Sequence, residues 1–238
     1  MNYSPDYLLE TAGVDYPVIG LYDTSDPTLF EPLVRPAPDK RACMFMFFNS
    51  WQKGETLHLT TDNHGCGGLG TYLFGVQSRD RRSYIDFLYG KEGLKASGEL
   101  MGAWIDDMSP YQAEHEHIVI GPLREEAYDQ LKTVTFFINP DQLSLFVTAA
   151  HYFHSPADSP LVTAPFASGC GLIAAVIDDL EQPRAVIGAT DIAMRKYLPP
   201  DVLAFTVTRP MYEELCAIGE DSFLNKPFWQ GVVEKRKR

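Results

Sequence analysis

The chain has 238 residues, 45% of them hydrophobic, and a formal net charge of -12. That length and apolar content supply a core large enough for one large domain or two small ones, which excludes disorder as the starting expectation. The acidic balance repels phosphate backbones and anionic lipid, so nucleic-acid and membrane partners are not expected, and the one concentrated basic segment, Lys235-Arg236-Lys237-Arg238, reads as a solvated tail.

No apolar run reaches the roughly 20 residues of a membrane span. Met1-Asn2-Tyr3-Ser4-Pro5-Asp6 lacks the basic-then-apolar pattern of a secretory signal, and a cytoplasmic location is expected. Four cysteines, Cys43, Cys66, Cys170 and Cys216, are widely spread, which favours reduced thiols over a disulfide framework.

In chain order, a helix from about Tyr3 to Thr11 forms an N-terminal appendage, residues 1–13. A β-like run follows at Val18-Ile19-Gly20-Leu21-Tyr22, then a helix-compatible stretch from Ala42 to Trp51. Leu57-His58-Leu59-Thr60 leads through Thr61-Asp62-Asn63-His64 into Gly65-Cys66-Gly67-Gly68-Leu69. A polar insert, Arg79 to Glu116, is expected to carry surface helices around Tyr84–Leu88 and Glu99–Asp106. The strand Ile118-Val119-Ile120-Gly121 is stopped by Pro122 before an acidic helix start at Glu125-Glu126.

The same series then recurs. Val134-Thr135-Phe136-Phe137-Ile138 reads as a strand and Asp141 to Phe153 as a helix. Leu161-Val162-Thr163-Ala164 leads through Pro165-Phe166-Ala167-Ser168 into Gly169-Cys170-Gly171-Leu172-Ile173, with the leucine-to-cysteine spacing of the first series. Phe205-Thr206-Val207-Thr208, Pro210 and Glu213-Glu214 close it. The predicted fold is therefore a layered α/β protein of two pseudo-symmetric duplicated halves, 14–131 and 132–238, packed as one unit because no Gly/Ser or Pro-rich linker divides them.

Gly65-Cys66-Gly67-Gly68-Leu69-Gly70 and Gly169-Cys170-Gly171-Leu172-Ile173-Ala174 formally match a dinucleotide fingerprint. The approach to the first glycine is too long for the tight turn that motif requires, and the next strand ends on no convincing acidic residue. What remains is a cysteine at an expected helix N-terminus, where unpaired N–H groups favour the thiolate that acts as nucleophile or metal ligand. The plain alternative is that each free cysteine is a small buried hydrophobe. Cys43 opens the first apolar helix and falls opposite Gln142 in the internal alignment, so a pseudo-twofold would bring Cys43, Cys66, Gln142 and Cys170 towards one centre. Cys216, late in an acidic helix, reads as packing.

His64, two residues before Cys66, could support a thiolate or ligate a metal, yet Ser168 is its counterpart and a solvated loop histidine is the simpler reading. His115 with His117, and His151 with His154, lack an obvious third ligand and read as structural. Asp191 and Arg195, one helical turn apart, read as a surface ion pair. No P-loop, H-E-x-x-H, C-x-x-C or G-x-S-x-G motif occurs, which removes the usual support for kinase, zincin, thioredoxin-like and serine-hydrolase functions.

Arg41-Ala42-Cys43, Cys66-Gly67-Gly68, Ile120-Gly121-Pro122-Leu123, Asn139-Pro140-Asp141-Gln142-Leu143 and Gly169-Cys170 together resemble the uncharacterised ArCR family, domain of unknown function 169, over roughly Val18 to Cys216. The resemblance implies a cytoplasmic protein of unassigned function whose motif cysteines are Cys43, Cys66 and Cys170. It implies no activity. Three readings follow. In the first, Cys43, Cys66 and Cys170 hold a metal ion or an iron–sulfur cluster. In the second, a metal-free module binds a small anionic ligand at the paired turns, through Gly65, Gly67, Gly68, Gly169, Gly171 and Gln142. In the third, Cys66 or Cys170 is an enzyme nucleophile with His64 as base.

Overall fold

The computed structural model describes residues 5–37, 43–63, 73–76, 80–108, 110–158, 160–166 and 179–236. Eight strands are described: β1 (Ile19–Thr24), β2 (Leu33–Val34), β3 (Thr56–Leu59), β4 (His117–Pro122), β5 (Leu131–Ile138), β6 (Val162–Thr163), β7 (Ala185–Gly188) and β8 (Leu203–Thr208). They form one mixed sheet in the order β2-β3-β4-β1-β5-β8-β7-β6.

That order reads the same from both edges. β2 pairs parallel with β3 and β6 parallel with β7, while β3–β4, β4–β1, β7–β8 and β8–β5 are all antiparallel, with β1 and β5 meeting antiparallel at the centre. The order corrects the internal alignment made from sequence. Leu57-His58-Leu59 belongs to the penultimate strand β3, whereas Val162–Thr163 is the edge strand β6, so the sheet pairs β6 with β2. Leu33 lies in register with Thr56 and Val162 with Ala185, a separation of 23 residues in both. Along the sequence Cys43 follows β2 and Cys170 follows β6, while Cys66 follows β3.

Period-two alternation along the central strands gives each side of the sheet its own core. Tyr22, Val119, Val134, Phe136, Ile138, Phe205 and Val207 face one cluster, and Ile19, Leu21, Ile118, Ile120, Phe137 and Ala204 the other. The first face is covered by α1 (Asp6–Ala12), α5 (Pro140–Ala150), α6 (Arg209–Cys216) and α7 (Pro227–Arg236), through Leu8, Leu145, Phe146, Met211, Leu215 and Trp229. Leu8 and Ala12 of α1 are buried in this core. The helix ends on Gly13 in the left-handed region, φ 63, and its last carbonyls are bound from elsewhere: Trp229 Nε1 donates to Thr11 O at 3.0 Å, and Gln142 Nε2 to Ala12 O and Gly13 O at 3.1 and 2.6 Å.

The second face is covered by a 3-10 turn, Met44–Phe47, that runs into α2 (Phe48–Gln52). Met44, Phe45, Phe48 and Trp51 recur at helical spacing and are all buried. Phe48 meets Phe137 edge-on at 4.9 Å, and Trp51 stacks on Phe137 at 5.8 Å while its Nε1 donates to Ile120 O at 2.9 Å. The insert forms α3 (Arg81–Ile85), a π-helical turn at Asp86–Lys91 and α4 (Gly98–Asp106), at the positions expected from sequence.

Candidate functional site

Cys43 precedes the 3-10 turn with extended backbone, is half-buried and packs against the second-face cluster. Its turn has four residues and α2 five, so little helix dipole is available to stabilise a thiolate there. Gly65, Cys66, Gly67, Gly68, Gly169, Cys170 and Gly171, together with His64, lie outside the described residues. The described chain on the downstream side of each Gly-Cys-Gly segment does return to the same face as Cys43: Leu73 and Phe74 are buried in that cluster, and Leu180 packs against it. Upstream of Gly169, Phe166 is held by the insert; Trp104 Nε1 donates to its carbonyl at 3.0 Å, and Lys95 Nζ lies 4.1 Å from its ring centre.

Gln142 is not brought to Cys43. It caps α5 on the opposite side of the sheet, where its Oε1 accepts from Asn139 N at 2.8 Å and Asn139 Oδ1 accepts from Gln142 N at 3.0 Å, a reciprocal capping box. With both Nε2 hydrogens donated to the Ala12 and Gly13 carbonyls, the amide is committed to holding α1 against α5.

Asp191 and Arg195 have separate structural tasks. Asp191 caps the 3-10 turn Ile192–Tyr197 by accepting from Ala193 N at 2.9 Å. Arg195 donates to the carbonyls of Ala189, Pro199, Pro200 and Val202, tying down a turn in which Ala189 takes a left-handed φ of 59.

Two side-chain clusters escaped the reading of the sequence. In one, the buried Asp23 carboxylate accepts from Tyr111 Oη at 2.6 Å, Glu114 N at 2.7 Å and His115 N at 2.9 Å, with His115 Nδ1 at 3.1 Å. Asp23, Glu114 and His115 offer three ligand atoms within 4.8 Å of one another, the set among the described residues that could hold a cation. The donors already around Asp23 make it first a clamp on the loop entering β4, and burial beside Asp23 drives the Tyr111 phenol well above its ordinary range. In the other cluster, Arg35, just after β2, donates from Nε to Nδ1 of His58 on β3 at 2.9 Å, and His58 Nε2 lies 3.1 Å from Nδ1 of His117 on β4. His151 Nδ1 lies 2.8 Å from Val147 O, and His154 Nε2 2.6 Å from Glu214 Oε2.

A family model described as uncharacterised ArCR, DUF169, matches residues 8–217. The chain belongs to that family. No curated protein and no solved structure matches it. The DUF169 match takes in all eight strands, Cys43, Cys66, Cys170 and both clusters, and ends before α7. An open groove of about 440 Å³ between α5 and α7, lined by Leu145, Phe223, Phe228, Trp229 and Val232, is thus partly built from residues beyond the family match. Among the described residues no helix is long and apolar enough to cross a membrane.

Proposed function

We propose that this DUF169 protein is a cytoplasmic ligand-binding protein made of two duplicated halves, 14–131 and 132–238, in which Cys43, Cys66 and Cys170 hold a metal ion or an iron–sulfur cluster on the second face of the sheet. The carrying observation is that Cys43, Leu73 and Leu180, described residues that belong to or follow the three cysteine segments, pack in one apolar cluster. The symmetric strand order supports the duplication, and Cys43 and Cys170 follow in sequence the two edge strands β2 and β6. Three thiolates leave an open position on a tetrahedral ion, and sulfurs on one such ion lie within about 4 Å of each other. The charge of -12 favours a metal or small-molecule ligand over nucleic acid or anionic lipid.

Metal and sulfide analysis with an absorption spectrum, on protein purified without oxygen, tests the reading. One ion or cluster per chain is expected, lost on Cys43→Ser, Cys66→Ser or Cys170→Ser and retained on Cys216→Ser. Protein free of metal and sulfide, or full occupancy in all three motif variants, overturns it.

A further inference from the structure

One side of α7 is committed to the fold. Trp229 is buried with its Nε1 on Thr11 O, Val232 and Val233 pack on the first-face core, Gln230 Nε2 donates to Leu224 O at 3.0 Å, and Arg236 Nε lies 2.7 Å from Asp141 Oδ2. The side turned away carries Phe228, Gly231 and Lys235, at the i, i+3 and i+7 spacing of a single helix face, and all three are exposed. Phe228 is 92% exposed, more than any other large apolar side chain among the described residues. It stands at the lip of the groove between α5 and α7, which Phe223 also lines. From Phe223 the aromatic surface continues to Tyr152 at 5.7 Å and on to Phe153 at 4.9 Å, so it is one patch rather than scattered side chains.

Gly231 sits inside the helix, where glycine costs about 1 kcal/mol relative to alanine. Its backbone is not in the left-handed region, and a Cβ placed there would meet nothing beyond its own helix within 4 Å among the described residues. Neither conformation nor packing within the chain calls for the missing side chain. The outer face of α7 thus offers a dent at Gly231, about 4.5 Å along the helix axis from the projecting Phe228 ring.

A two-fold axis crossing α7 between Trp229 and Gln230 sets these features against one another. In an antiparallel pair of α7 helices about that axis, residue numbers facing each other sum to a constant, and Phe228 of each copy falls opposite Gly231 of the other. The charged ends then meet as well. Glu220 and Asp221 are exposed in the turn before α7, which Asn225 Nδ2 closes by donating to Glu220 O at 2.7 Å, and Lys235 is exposed at the far end of the helix. We propose that the outer face of α7 is the interface of a two-fold symmetric dimer of this chain, with each Phe228 seated over the other copy's Gly231 and each Lys235 against the other copy's Glu220 and Asp221. An interface of this kind needs knob, dent, acid and base on one surface of one chain, and α7 with its leading turn carries all four. The charge of -12 repels a second copy over most of the surface, but that repulsion is screened beyond about 8 Å at physiological salt, and the contact is made at the chain's concentrated basic end. The proposal is independent of the cysteine site.

Sedimentation velocity of the full chain at physiological salt, over concentrations from about 1 to about 200 µM, tests it. Conversion to twice the chain mass is expected as concentration rises. Phe228→Ala removes the knob and Gly231→Leu fills the dent, and each is expected to raise the dissociation constant on the order of tenfold or more. Leucine favours the helix and clashes with nothing in its own chain, so the Gly231→Leu monomer should keep or raise its Tm, which separates loss of the dimer from loss of folding. Lys235→Glu should weaken the dimer, and adding Glu220→Lys and Asp221→Lys to it should restore the association. A wild-type chain that stays monomeric throughout overturns the proposal and leaves the face to a different partner. A dimer that survives both Phe228→Ala and Gly231→Leu places the interface elsewhere, and failure of the charge reversal to restore association refutes the antiparallel register.

Discussion

Replacing Gln142 by alanine separates the two roles available to it, ligand group or internal tie. The variant removes three hydrogen bonds: the capping acceptor for Asn139 N and the two donors to Ala12 O and Gly13 O. At a net value of about 0.5–1.5 kcal/mol each, with the buried Ala12 carbonyl left unpaired, the loss is about 3 kcal/mol. For a chain of this size, about 2–4 °C of Tm per kcal/mol gives a fall of roughly 6–12 °C. Gln142→Glu keeps the acceptor for Asn139 but turns carboxylate oxygens on two carbonyls, so it should be at least as damaging. The assay is thermal unfolding together with amide exchange of α1, whose protection should fall first because its C-terminal carbonyls are released. A Tm shift under about 2 °C with α1 unaffected would refute the structural account and return Gln142 to the candidate ligand set.

Gly121→Ala should destabilise by about 1–3 kcal/mol in chemical denaturation, because the new Cβ would stand 2.9 Å from the Thr56 Cα on the neighbouring strand; a neutral result would mean that β3 shifts freely. Trp51→Phe keeps the aromatic packing but strips the donor from Ile120 O, and a loss of about 1 kcal/mol is expected by the same measurement. Burial pushes the Cys216 thiol up to about 12, so it should resist alkylation at pH 8 in the native state and react on unfolding; rapid native labelling would contradict its placement. Global stability should also depend on His58. Its folded pKa of about 4 lies below the unfolded value of about 6.5, so the unfolded chain takes the proton first and stability declines as pH falls between them. The full shift corresponds to about 3 kcal/mol, and with Arg35 exposed to screening solvent about 1–2 kcal/mol is expected, which His58→Gln should remove from the pH profile.

The long strands and the mixed α/β class were legible because β1, β4, β5 and β8 are runs of β-branched and aromatic residues closed by turn or proline signals. The edges were not. β2 and β6 have two residues each, too few for any periodicity, and without them the eye matches the Gly-Cys-Gly turns to each other, which misaligns β3 with β6. The same gap hid His58–His117. They are neighbours only because β3 and β4 run antiparallel with His58 opposite Val119, two residues along from His117, a register no local pattern encodes. Asp23 was hidden differently: its partners Tyr111, Glu114 and His115 arrive from the far end of the insert.

Gln142 carries the opposite lesson, since Asn139-Pro140-Asp141-Gln142 is a readable capping box with proline at the first helical position. A local signature that assigns a side chain to its own helix terminus should outrank a distant symmetry argument that assigns it to a pocket. The reason is energetic. The capping partner lies three residues away and costs little chain entropy to reach, whereas convergence on a shared centre requires the whole fold to be right first. By that measure the cysteine trio is the part of the sequence reading that depends most on tertiary placement.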